Sequence, residues 1–281
     1  VNYIDANRHS LALSSGRRLR FSKLVLALGV EPKKLDLPGA DLQNIFTLRV
    51  PSDANNIAHL STGKRVVCVG GSFVGMEIAS ALAAAASHVT VICDSSEPMK
   101  ILGPDIGVTI RKYFERMGVR VMVNSKAVWF VGQGQVSGVQ LESGETVNAD
   151  VVVVAIGSQP STNFLKGSQV EMDQDGFITV DSNFRTSVEN VYAIGDAVKF
   201  PLPQWNIESI NIAHVQAAQS HGQMLAYTIE GKQYPHDLIP FFMVKFFLDC
   251  TILFAGCPQG ATLEVIHGDL AALDFAKYYL M

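Results

Sequence analysis

Long uninterrupted apolar runs, paired cysteines and clustered basic residues are all missing from this sequence, and each absence removes a class of function. The most apolar stretch, Pro240 to Gly256, is broken by Lys245 and Asp249. It falls short of the roughly 18 consecutive apolar residues that a spanning helix needs, so no transmembrane segment is expected. The four cysteines, Cys68, Cys93, Cys250 and Cys257, form no C-x-x-C pair, which argues against a disulfide framework or a zinc site. A reducing intracellular compartment, cytoplasmic or mitochondrial, is the expectation. With 22 Lys and Arg against 26 Asp and Glu, a net charge of -4 and no long basic run, the chain has no electrostatic footprint for nucleic acid. The seven histidines show neither H-x-x-x-H nor H-E-x-x-H spacing, and no serine stands in G-x-S-x-G. Metal hydrolysis and acyl transfer are therefore not indicated. The sequence opens on Val1 without the pattern of a targeting peptide and reads as part of a longer protein.

What is present is an α/β chain of 281 residues, 48% hydrophobic and 17% charged, long enough for two or more sizeable cores. Lys64 to Glu77 form an apolar strand that ends in a glycine-rich turn and runs directly into a helix. That is a form in which a chain can hold a dinucleotide. Gly70 lets the backbone reverse, the next small residues let N–H groups approach a pyrophosphate, and Gly75 lets the helix sit close to the strand. The helix N-terminus adds its partial positive charge. Three more apolar strands also end on glycine: Leu24 to Gly29, Val151 to Gly157 and Val191 to Gly195. Such sheet ends are expected to face one ligand crevice.

Periodicity and turn residues predict the surrounding elements. A β-hairpin about Ser14-Ser15-Gly16 leads into Leu24 to Gly29, and residues 31 to 39 form a loop. Pro51-Ser52-Asp53 starts a helix carrying Ile57 and Leu60, which Ser61-Thr62-Gly63 ends. A helix over 74–86 and a strand from Val89 to Cys93 complete a β-α-β unit. A further helix, Asp105 to Met117, places Ile106, Ile110, Tyr113, Phe114 and Met117 on one face. Strands at 119–123, 126–131, 135–141 and 145–149 read as a β-meander. The four valines 151–154 cannot alternate between core and solvent, so that strand is expected to be buried on both faces. Asn211 is the expected N-cap of a helix reaching Ile229, and a new α/β segment starts at Pro235.

The spacing Thr186-Ser187-x-x-x-Val191-Tyr192-Ala193-Ile194-Gly195-Asp196 is more specific than any glycine turn. Together with Leu24 to Gly29, Glu31-Pro32, Leu37-Pro38-Gly39, Arg49 to Ala54 and Ile156 to Pro160, it resembles the two-dinucleotide flavoprotein reductases. These are the FAD/NAD(P)-dependent pyridine nucleotide-disulfide oxidoreductases, here in their apoptosis-inducing factor 3-like and ferredoxin-reductase branch. The resemblance implies an NAD(P)H-binding Rossmann-like domain over 51–158 inserted in a partial FAD-binding Rossmann-like domain, 1–50 and 159–230. The start of a C-terminal α/β interface domain would occupy 235–281. It also implies a first FAD fingerprint upstream of Val1.

By the same resemblance, Gly70, Gly71, Ser72 and Gly75, with Phe73 and Val74 between them, would cradle the NAD(P)H pyrophosphate. Ser72 takes the family's second glycine position. Glu77 would place a carboxylate near the nicotinamide; its other reading is a favourable charge at a helix N-terminus. The acidic residue that meets the adenosine ribose is replaced by Cys93, with Asp94 one position later as substitute or as a plain turn residue. No arginine follows closely, which favours NADH over NADPH. For FAD, the implied contacts are Ala27, Leu28 and Gly29, with Leu28 in place of a frequent threonine, then Arg49 and Asp196, whose carboxylate would meet a ribityl hydroxyl; Gly157 is a further implied cofactor-binding residue. The helix start at Ala213, His214 and Val215 would point at the flavin. Met243 stands where relatives often carry an aromatic. The implied activity is hydride transfer from NAD(P)H to FAD, with electrons passed to an acceptor such as ferredoxin or a Rieske iron-sulfur domain. Two other readings stay open: a disulfide reductase with its cysteines upstream, and a non-enzymatic interaction scaffold.

Overall fold

The valine run Val151–Val154 lies inside a five-stranded parallel sheet, with all four side chains buried. The sheet runs in the order Ile45–Phe46, Val151–Val154, Arg65–Val69, His88–Ile92 and Val119–Met122. The computed structural model describes residues 1–6 and 8–281. Three helices cover one face: α1 (Pro51–Ser61), α2 (Phe73–Leu82) and α3 (Pro104–Arg116). Ile57, Met76, Ile106, Ile110 and Phe114 pack there on Val66, Cys68, Val91 and Val153. The opposite face takes the alternate strand residues, Val67, Val69, Val152 and Val154, against Phe130, Val139 and Leu141 of an antiparallel three-stranded sheet. Continuous apolar strands are what a sheet covered on both sides requires.

That antiparallel sheet is made of Ala127–Gln133, Gln135–Leu141 and Thr146–Asn148. The fourth strand expected in it, Val119–Met122, instead pairs parallel with His88–Ile92. It follows a helix, and a strand returning from a crossover helix joins its predecessor in parallel. Leu60, in the last turn of α1, and Met117, the C-cap of α3, are exposed rather than packed.

A second core gathers residues from both ends of the chain, among them Ile4, Leu26, Leu165, Phe184, Val191, Phe200 and Leu225. Here Leu24–Leu26 pairs parallel with Val191–Ala193. The N-terminal hairpin gains a third strand, Tyr3–Asp5 beside Ser10–Ala12 and Arg18–Arg20. The expected loop 31–39 starts as a strand: Val30–Pro32 pairs antiparallel with Ser158–Pro160, where the chain leaves this body and returns to it. Helix α4 (Val215–Ile229) buries Ala217, His221 and Leu225.

The N-cap of α4 is His214, not Asn211. The Asn211 amide donates instead to the carbonyls of Asp196 and Val198, at 2.8 and 2.7 Å. Of the α/β character expected beyond Pro235, the described residues supply strands: hairpins Phe241–Phe246/Cys250–Ala255 and Leu263–Asp269/Asp274–Leu280. The first hairpin lies on the helix layer, with Phe246 fully buried 5.1 Å from Phe114 and the Tyr113 hydroxyl donating to Asp249. Among the described residues, no helix is long and apolar enough to cross a membrane.

Candidate functional site

The turn between Arg65–Val69 and α2 is as tight as a chain can make it. A Cβ on Gly75 would stand 2.0 Å from the Gly70 carbonyl oxygen, and one on Gly70 would stand 2.3 Å from that of Ala155. Both obstacles are backbone, so only glycine lets α2 begin this close to two strand ends. Ser72 caps the helix: its hydroxyl accepts the Gly75 N–H at 3.2 Å and donates to the Ala155 carbonyl at 2.8 Å. Its side chain is thereby spent on the fold. The other N–H groups of the first turn have no intrahelical acceptor, which is what an anion site uses.

In front of this turn lies a groove of 550 Å³, lined by Gly70, Gly71, Ser72, Phe73, Asp94 and Lys100 among others. Cys93 is 1% exposed, and its thiol is turned to Ser95 Oγ at 3.1 Å. Asp94 is therefore the carboxylate that the end of this strand offers to the groove. Gly75 is buried beneath the turn and is a packing residue.

Phe73 and Ile101 line both this groove and an apolar chamber of 430 Å³ beside it. Val74 and Glu77 of α2 form one wall of the chamber, Asn211, Ala213 and His214 a second, and Phe242, Met243 and Phe254 a third. Phe242 stacks on Phe254 at 5.0 Å and meets Phe73 edge-on at 4.8 Å. The aromatic facing α2 is thus Phe242, one residue before Met243, whose own side chain is 60% exposed. Burial pushes the Glu77 carboxyl above the usual range.

Asp196 follows the Val191–Ala193 strand in a single 3-10 turn, Gly195–Ala197. Its Oδ2 lies 4.0 Å from Arg49 Nη2. The same nitrogen lies 3.0 Å from the place of a Cβ on Gly29, so Gly29, Arg49 and Asp196 are neighbours although they come from three parts of the chain. Asp196 Oδ1 is buried and has no hydrogen-bond partner among the described residues. Burial raises the Asp196 carboxyl, opposed by Arg49 and His214. Through Asn211 this turn is tied to the chamber wall.

Ala27 and Leu28 are exposed next to this group, and Val215 is exposed at the start of α4, where His214 Nδ1 accepts the Gln216 N–H at 3.3 Å. Gly157 stands between Ile156, which lines the groove, and Ser158–Pro160, which passes beside the Gly195–Ala197 turn; its carbonyl accepts the Lys33 N–H at 2.9 Å. Three participants escaped sequence reasoning. Asn211 had a polar side chain with two uses, Phe242 sat one residue from the position considered, and His221, which holds the Gly195 N–H through Nδ1 at 3.1 Å, carries no local signal inside a helix.

The family described as pyridine nucleotide-disulphide oxidoreductase matches residues 1–222. Human apoptosis-inducing factor 3 is 36% identical over 278 residues, 98% of this chain and 46% of that protein. The ferredoxin--NAD(+) reductase component of the biphenyl dioxygenase system of Paraburkholderia xenovorans is 32% identical over 240 residues, 84% of this chain and 58% of that protein. The chain thus spans about half the length of the curated relatives it matches. Among solved structures, the covalent putidaredoxin reductase-putidaredoxin complex superposes with a TM-score of 0.93 at 26% identity, covering 99% of this chain and 68% of that one. The ferredoxin reductase for the CYP199A2 system of Rhodopseudomonas palustris gives 0.92 at 27% identity, with the same coverage.

Proposed function

Because the chain belongs to the pyridine nucleotide-disulphide oxidoreductase family, we propose that it takes a hydride from NADH onto FAD and passes the electrons to an iron-sulfur protein of the ferredoxin or Rieske type. The observation that carries this reading is convergence: the groove before α2 opens, through Phe73 and Ile101, into the chamber to which Asn211 ties the Asp196 turn. Two nucleotide sites meeting at one apolar space are what a hydride relay between two cofactors requires.

The residues fit both groups. A buried, unpartnered carboxylate oxygen on Asp196 suits the hydroxyl of a ribityl chain, because an acceptor left unmet in the protein is costly until a donor arrives. Glycines that admit no Cβ and free N–H groups at α2 suit a pyrophosphate. Asp94 in the groove suits a ribose diol and opposes a 2'-phosphate, which is the basis for preferring NADH. When bound, the nicotinamide supplies the hydride and the flavin accepts it.

The protein's part is to orient and to keep dry. Phe73, Phe242 and Phe254 exclude water from the space between the sites, which strengthens every electrostatic contact there. Glu77, its carboxyl raised by burial, would meet the polar edge of the nicotinamide at the chamber wall. No acid, base or nucleophile has to react. The ferredoxin assignment draws on the reductase relatives.

The test is anaerobic titration of the flavin-loaded protein with NADH and, in parallel, NADPH, followed by visible absorbance, then addition of an oxidised ferredoxin. Bleaching by NADH ahead of NADPH, reversed by ferredoxin, is the expected course. A flavin band that neither nucleotide bleaches would end the proposal.

A further inference from the structure

His221 stands where the packing pattern of α4 calls for an aliphatic residue. It is 0% exposed and shares the buried face with Ala217 and Leu225, one turn before and one turn after it. Its ring is held by two phenylalanines, Phe184 at 4.6 Å and Phe200 at 4.4 Å in an edge-on arrangement. Its one hydrogen bond is the Gly195 N–H, accepted by Nδ1 at 3.1 Å. Accepting there requires a lone pair on Nδ1, so the ring is neutral with its proton on Nε2. That second nitrogen has no partner among the described residues.

A histidine with half of its polar capacity unmet is an expensive filler for a site that leucine would pack. What imidazole adds is the bond to Gly195, and Gly195 immediately precedes Asp196. The backbone at these two residues is bracketed from opposite sides. His221 takes the Gly195 N–H, and the Asn211 amide gives to the Asp196 carbonyl at 2.8 Å. Just before them the Ile194 N–H is bound to the Leu26 carbonyl at 3.0 Å. With the main chain held at each of these points, the Cα–Cβ direction from which the Asp196 carboxylate and its unpartnered Oδ1 reach is held as well.

We propose that His221 is a positioning residue for FAD, which acts from beneath the Gly195–Ala197 turn by holding the Gly195 N–H and so aiming the Asp196 carboxylate. This rests on the reading of Asp196 as an FAD contact. It adds that the helix following the FAD turn determines how tightly the cofactor is held, through a residue that never touches it.

The experiment compares wild type, His221→Leu, His221→Asn and Phe200→Leu in the flavin-loaded full-length protein, upstream segment included. The readouts are the FAD dissociation constant by flavin fluorescence, hydrogen exchange of the Gly195 amide, and the thermal midpoint. His221→Leu is expected to weaken FAD about tenfold, the worth of one hydrogen bond at a buried site, and to speed exchange at Gly195. His221→Asn, whose Oδ1 takes the place of Nδ1, is expected to restore most of the affinity. Phe200→Leu is expected to lower the thermal midpoint and leave FAD affinity unchanged, which separates aiming from mere packing. Unchanged FAD affinity in His221→Leu overturns the proposal, and so does an equal loss in Phe200→Leu. If His221→Leu does not fold, His221→Asn is set against His221→Gln, whose longer side chain carries its oxygen past the Nδ1 site; equal affinities of that pair overturn it. A wild-type protein that takes up no FAD at all refutes the reading of Asp196, and this proposal with it.

Discussion

One methyl group is more than the turn before α2 can hold. The nearest atom to a Cβ on Gly75 is the Gly70 carbonyl oxygen at 2.0 Å, and a backbone oxygen cannot swing aside as a side chain can. Gly75→Ala is therefore expected to push α2 off its strands, to lower stability by about 2–3 kcal/mol in urea unfolding and to raise the KM for NADH. Asp94 acts through charge instead of space. With Cys93 turned away to Ser95, Asp94→Ala removes the groove's carboxylate, and the ratio of kcat/KM for NADH over NADPH is expected to fall about tenfold. The glycines of this turn were legible because no other residue type allows so close an approach. The choice between Cys93 and Asp94 was not, since it depends on which side chain the strand buries. Ser72 was read as standing in a glycine position before a pyrophosphate; its role as a cap becomes visible only once the Ala155 carbonyl is in place beside it.

Helix α4 carries a titration that its sequence does not announce. Burial among Phe184 and Phe200 lowers the His221 pKa from the usual 6.5 to about 4. Between those values the unfolded chain binds a proton that the folded chain refuses. The stability held by the neutral ring is whole above about pH 6.5 and declines as the pH falls from there through about 4, by up to about 3 kcal/mol. Urea midpoints at pH 7.5 and 4.5 measure the difference, and His221→Asn is expected to lose this part of the slope. Other elements were readable in advance where one force dominated. The spacing of Ile106, Ile110, Tyr113 and Phe114 gave α3 within one residue at each end, and the unbroken valines marked a doubly covered strand. Two forces competed where reading failed. Val119–Met122 has the length and composition of a meander strand, but the helix before it commits it to the parallel sheet. Asn211 suits an N-cap, yet the two carbonyls at Asp196 and Val198 bind both hydrogens of its amide.

Across the whole molecule, the Phe241–Phe246/Cys250–Ala255 hairpin joins the two bodies by forming the third wall of the chamber. Phe246 is anchored in the helix layer against Phe114, and the same strand carries Phe242 to Phe73. Phe246→Ala is expected to cost about 3–5 kcal/mol. Hydrogen exchange over residues 241–255 is expected to quicken before the parallel sheet does, with a lower kcat as water enters between the sites. The paired strands Val30–Pro32 and Ser158–Pro160 have a different consequence. Pro32 and Ser158 face each other in register, so the chain between them leaves and re-enters the outer body at one narrow neck. To the outer body, with its own core from Ile4 to Leu238, that neck has the spacing of one closed by a two-residue reversal such as Asn-Gly. The molecule is thus partly laid out for surgery: the inserted body could be exchanged as a cassette cut at this neck, provided the replacement keeps the seat that Phe73 and Phe114 give the Phe241–Ala255 hairpin.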